Sequence, residues 1–178
     1  MAAVVLAIVA AFSVIKIWPR ANEGGGTAKD ALCWGALSRA QTKPLLSTDR
    51  PVTATETAPD VAEATCDVRT GDHLKDIQFV LWLRDGTVGS VTPPEGIERL
   101  KGNRTGWATQ AQGRIRLSDS CADALHRTTS SHVDLLLSTT TQVRKHYDWK
   151  SAVLVPRVSQ VLTEAAEGIE RHYKCGST

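Results

Sequence analysis

The chain is predicted to fold as an α+β domain. An antiparallel sheet is packed by an N-terminal and a long C-terminal helix, as an αβ sandwich preceded by one transmembrane helix. Three observations carry this reading. Residues 76–84 (DIQFVLWLR) alternate, with Ile77, Phe79, Leu81 and Leu83 on one side, as a half-buried strand requires. Val158, Val161, Leu162, Ala165 and Ile169 recur at helical spacing, with Arg157, Gln160, Glu164, Glu167 and Arg171 on the opposite face. Residues 2–15 are apolar without a break apart from Ser13.

Size and charge bound the rest. The 178 residues amount to one domain plus a tail. A hydrophobic content of 42% is enough for a core, and 13 Gly with 7 Pro are too few for a collagen or low-complexity tract. Lys and Arg number 21 against 19 Asp and Glu, a net charge of +2. That excludes the strong basic field of a dedicated nucleic-acid binder, so no nucleic-acid partner is expected.

Residues 1–18 form the anchor or signal-anchor. Fifteen helical residues reach only about 22 Å against a hydrocarbon core of about 30 Å. Ile17 and Trp18 extend the segment, with Lys16 snorkelling and Trp18 beside Arg20 at the interface. A cleaved signal peptide would need small residues before the scissile bond, and Val9-Ala10-Ala11 is a poor site that leaves a short apolar core. A buried core helix would need a polar face, which is lacking. Orientation is contradictory. Lys16 and Arg20 follow the segment, and the positive-inside rule then keeps the body cytoplasmic. The cysteines argue for the other side, and a basic segment ahead of Met1 would reconcile the two.

A linker, residues 19–27 with the run ANEGGG, leads to the domain proper, residues 28–176. Thr27 caps a helix over 28–42, with Leu32, Cys33, Ala36, Leu37 and Ala40 on one face and Pro44 ending it. Residues 45–64, rich in Thr, Pro, Asp and Glu, read as a loop. A short strand over 64–69 turns at Thr70-Gly71-Asp72 into the strand 76–84, whose Val80 and Trp82 make its second face apolar too. Asp85-Gly86 is a hairpin signal, with 87–92 as the returning strand. Residues 97–100 suit a helical turn, and 107–112 with 114–117 suit a hairpin around Gly113. Residues 132–138 (HVDLLLS) place Val133, Leu135 and Leu137 inward. The final helix starts with Pro156 in its first turn, or begins near Trp149 and is kinked there; Cys175-Gly176 closes it.

The four cysteines, Cys33, Cys66, Cys121 and Cys175, form no CxxC or Cys/His cluster, which argues against structural zinc. An even, well-spread set suits two disulfides in an extracytoplasmic compartment. Of three pairings, Cys33–Cys66 and Cys121–Cys175 are expected, each tying a helix to the sheet and contributing about 4 kcal/mol by loop entropy. The motif C-x-x-A-L-x-R occurs at Cys33–Arg39 and again at Cys121–Arg127. It is either chance in an Ala-rich chain or the trace of a duplicated half-domain.

Leu32-Cys33-Trp34-Gly35-Ala36-Leu37 behind a membrane segment is followed by Cys66 opening a strand, Gly106-Trp107, Arg116-Leu117 before Cys121, and a last helix ending in Cys175. This pattern resembles a group of uncharacterised secreted or membrane-anchored, cysteine-containing actinobacterial proteins, as does the Lys-poor, Ala/Arg/Thr-rich composition. The resemblance covers 32–175 and implies an envelope location without implying any catalytic residue. A more distant similarity, to small lipoprotein domains with an αβ sandwich, bears on fold class alone, since no lipobox Cys ends the apolar segment.

No dinucleotide fingerprint, phosphate loop, HExxH or GxSxG occurs. Gly24-Gly25-Gly26 lacks a preceding strand and a Lys, and reads as linker. His132 and Asp134, with Ser130 or Ser131, sketch a Ser/His/Asp set but suit an exposed polar strand face better. Glu164, Glu167, Glu170 and His172 suit a solvated helix face rather than a metal site. No catalytic residue, cofactor or metal is therefore expected. Trp34, Trp82 and Trp107 suit the core. Trp149, flanked by Arg144, Lys145 and Lys150, combines a rigid aromatic with charges that steer an acidic partner. The reading that suits it better is a staple under the first turn of the last helix, with Asp148 capping that helix. The expected function is a membrane-anchored extracytoplasmic binding domain of the cell envelope, held in the lipid bilayer by residues 1–18 and engaging a protein partner. The alternatives are an envelope hydrolase or metal-dependent enzyme, and an accessory subunit of a membrane complex.

Overall fold

A computed structural model describes residues 30–46, 51–61, 63–71, 77–85, 98–100, 104–127, 132–140, 143 and 150–176. The expected anchor (1–18), the linker (19–27) and the returning strand (87–92) lie outside these residues. Among those described, no helix is long and apolar enough to cross a membrane.

The elements run β1 (Ala31–Leu32), β2 (Leu37–Ser38), α1 (Arg39–Thr42), β3 (Val52–Glu56), β4 (Glu63–Thr70), β5 (Ile77–Asp85), β6 (Glu98–Arg99), β7 (Gly106–Ala108), β8 (Gln112–Arg116), α2 (Ser120–Ala124), β9 (Val133–Thr139) and α3 (Ser151–His172). The last seven strands form one antiparallel sheet in the order β3-β4-β5-β9-β8-β7-β6. The α+β class, the antiparallel sheet and the long C-terminal helix stand as expected.

Strand alternation sorts the sheet into two faces. Register places Ala64, Cys66 and Val68 beside Phe79, Leu81 and Leu83, and those beside Leu135 and Leu137, in one apolar row after another. All of these are buried. Helix α3 packs on this side of the sheet over β7, β8 and β9, with Leu154, Val158, Val161, Leu162, Ala165 and Ile169 buried in the core. Gly113 on β8 makes the approach possible, since a Cβ there would come within 2.9 Å of Leu162 and 3.3 Å of Val158. Pro156 lies inside α3. It lacks the N–H that would bond back one turn, yet the helix runs on because its buried face holds it in place.

The predicted helix over 28–42 is not formed. Ala31–Leu32 and Leu37–Ser38 pair as a small hairpin instead, and among the described residues of this span only Arg39–Thr42 is helical. The turn is left-handed at Trp34 (φ 60°) and Gly35 (φ 79°), and Ala36 N–H donates to the Cys33 carbonyl at 2.8 Å. Positive φ at both central positions marks the hairpin-forming turns. The ring of His172 would stand 2.7 Å from a Cβ on Gly35, so both the positive φ and the close approach favour glycine there. Three further expectations fail. Residues 52–56, within the expected loop, form an edge strand; 98–99 form a strand rather than a helical turn; and the β7–β8 hairpin turns at Thr109–Ala111, not at Gly113.

Both disulfides pair as expected: Cys33–Cys66 with Cα atoms 5.4 Å apart, and Cys121–Cys175 at 4.9 Å. The first ties the β1–β2 hairpin, not a helix, to β4. The second ties α2 to the chain just beyond α3. The repeated C-x-x-A-L-x-R motif is a hairpin at Cys33–Arg39 and a helical segment at Cys121–Arg127, so it marks no structural repeat.

Candidate interaction surface

Of the four residues expected to meet a partner, Arg144, Lys145 and Trp149 lie outside the described residues. Lys150 is exposed and occupies the N-cap position of α3, where its carbonyl accepts the Val153 and Leu154 N–H groups at 3.0 Å. Ser151 then donates its hydroxyl to the Gln110 side chain at 2.9 Å, fixing the helix start against the β7–β8 turn. A lysine beside a helix N-terminus opposes the helix dipole, at a small cost in stability.

The polar groups nominated for chemistry are engaged in structure. Asp134 on β9 is only 4% exposed and accepts from Arg114 on the neighbouring β8. His132 Nε2 stands 3.9 Å from the same carboxylate oxygen. The expected exposed polar strand face is therefore a buried ion pair joining two strands. A carboxylate held by a guanidinium is a poor orienter for a catalytic imidazole, and Ser130 and Ser131 lie outside the described residues. Among the described residues no group of three His, Cys, Asp or Glu is placed to hold a metal ion.

Glu170 is not part of a solvated helix face. It is 8% exposed and receives both ends of the Arg104 guanidinium, at 2.9 and 2.6 Å, as well as the Ser118 N–H at 3.1 Å. The hydrogen bond to Glu170 holds Arg104 protonated even beyond the usual guanidinium range, against the opposing effect of its partial burial. A second clamp went unforeseen. Arg127 donates to Asp85 at 2.9 Å and to the carbonyls of Pro59 and Leu83 at 2.9 and 3.3 Å, with its side chain 1% exposed. Position 170 borders the apolar stripe of α3, but its partner is 66 residues away, and nothing local signals that pairing.

The sheet face turned away from α3 is different in character. Register aligns Trp82 with Leu136, Leu136 with Arg114, and Arg114 with Trp107 across β5, β9, β8 and β7. Trp82, Leu136 and Val80 are half-buried, and Trp107 is buried. Ion pairs Arg84–Glu63, Arg69–Asp67 and Arg116–Asp119 border this row at 3.5, 3.7 and 2.7 Å. Comparison with known protein families, with curated proteins and with solved structures finds no match to this chain.

Proposed function

We propose that this chain is a membrane-anchored, extracytoplasmic interaction domain of the cell envelope, without catalysis. Residues 1–18 hold it in the bilayer as a single transmembrane helix. Trp149, Arg144, Lys145 and Lys150, at the entry to α3, engage an acidic protein partner.

One observation carries the reading: all four cysteines are consumed in two disulfides, with no free thiol. Disulfides of this structural kind persist in oxidising compartments and are rare in the cytosol. With the apolar segment at 2–15, they support a body outside the cytoplasm, against the pull of Lys16 and Arg20.

Reporter fusions after Thr178 test the placement. A phosphatase that matures only where disulfides form should be active, and a cytosolic galactosidase fused at the same point inactive. The reverse pattern overturns the proposal.

A further inference from the structure

We infer that the free edge of β3 is a self-pairing site, through which two copies of this chain join their sheets antiparallel about a two-fold axis at Ala54. The inference does not depend on the membrane reading. β3 is the terminal strand of the seven-stranded sheet. Thr57 N–H donates to the Thr65 carbonyl at 2.9 Å, continuing the register in which Thr55 faces Asp67 and Thr53 faces Arg69. The alternation of an antiparallel ladder then turns the backbone groups of Thr53 and Thr55 toward β4, and those of Val52, Ala54 and Glu56 outward. Among the described residues these outward groups have no partner. Thr53, Thr55 and Glu56 are exposed, so the edge is reachable.

Val52–Glu56 carries one of the usual guards of an edge strand, the charge of Glu56 at its end, whose carboxylate accepts the Trp34 N–H at 2.7 Å. The strand holds no lysine, no proline and no bulge, and β-branched residues make up three of its five positions. Pro51 precedes the strand at a position where an N–H would face β4, so it does not block the outer edge.

The segment is also complementary to itself. Centring two copies on Ala54 sets Ala54 against Ala54 and Val52 against Glu56 of the other copy, and exchanges about six backbone hydrogen bonds. Thr53 then lies opposite Thr55 in the closer, non-hydrogen-bonded pairs, a combination that favours cross-strand contact. The two Glu56 carboxylates fall at opposite ends, roughly 13 Å apart along the strands, so like charges do not meet. Sliding the register until Glu56 meets Glu56 would leave a single narrow pair and set like charges together. The contact is short beside a standard interface, so the dimer is concentration-dependent.

The test uses the full chain in mild detergent, with hydrogen exchange read at the amides of Val52, Ala54 and Glu56 as protein concentration rises. When nine-tenths of the chains are paired, exchange proceeds from the unpaired tenth, so these three amides should slow by about tenfold. Ala54→Pro removes an outward N–H without touching the β3–β4 ladder. It should abolish both the protection and the concentration-dependent mass seen by sedimentation, while the melting temperature stays near that of the parent. A second variant, Thr53→Lys with Thr55→Lys, should act alike by charging the edge. A monomer at every concentration overturns the inference. So does a dimer that survives Ala54→Pro, because it would use another surface, and so does protection that appears only when an extended peptide from another protein is added.

Discussion

Tyr173 sits where α3 ends, edge to face with His172 at 4.9 Å between ring centroids, and packed against the core. Burial first, and then the negative charges of Glu56 and Asp60, push its hydroxyl up from the ordinary 10.0 to about 12. The sign of the consequence is fixed. Between these two values the folded chain keeps a proton that the unfolded chain has lost. The stability owed to the neutral phenol is therefore complete below about pH 10 and is lost as pH rises through about 12. Tyr173→Phe cannot ionise, so the parent should lose more stability than this variant over that window. Urea midpoints of both proteins at about pH 9 and about pH 11.5 measure it; parallel pH slopes would show that the phenol is not held neutral by the fold.

The helix–hairpin contact shows both what could be read from the chain and what could not. β5 and α3 were legible because each buries one face against a continuous partner, and the periods of two and 3.6 follow directly. The helix expected over 28–42 was wrong for a definable reason. Leu32, Cys33, Ala36 and Leu37 are buried by a turn and a disulfide rather than by a helical stripe, and spacing alone does not separate the two. β3 was missed because a Thr- and Glu-containing edge strand buries little and alternates weakly; only Val52 and Ala54 are sheltered. At the candidate surface, Lys150 was legible as exposed, whereas the Arg104–Glu170 and Arg127–Asp85 clamps depend on long-range closure that no local pattern encodes. The same closure makes a prediction about α3. Gly168 lies directly on the Ala36 carbonyl, and a Cβ there would overlap it. In a free helix Gly168→Ala would stabilise by up to about 1 kcal/mol. Here the helix must back away from the hairpin, an overpacking cost of about 1–3 kcal/mol or more. The variant should show a lower urea midpoint, and an unchanged or raised midpoint would mean that the hairpin yields freely.

Across the whole molecule, the two bridges stand at different parts of one core. Cys33–Cys66 fastens the β1–β2 hairpin to β4 near the β3 edge, while Cys121–Cys175 fastens α2 to the chain end beyond α3. Near the second bridge, the Ser120 hydroxyl donates to the Cys175 carbonyl at 2.6 Å, and the Cys175 N–H donates to the Glu170 carbonyl at 2.9 Å. The bridge and the Arg104–Glu170 clamp therefore hold the same end of α3. Loop closure over separations of 33 and 54 residues confines the unfolded chain by about 4 kcal/mol for each bridge. Together that is a large part of the roughly 5–15 kcal/mol by which a domain exceeds its unfolded state. The bridges are thus expected to decide whether the domain folds at all. Replacing Cys121 and Cys175 with Ser should lower the urea midpoint sharply. Replacing all four should leave a chain without a cooperative transition at 37 °C. If the four-serine chain keeps a cooperative transition near the parent's midpoint, the disulfides are incidental to stability, and the argument they make for an oxidising compartment loses its physical basis.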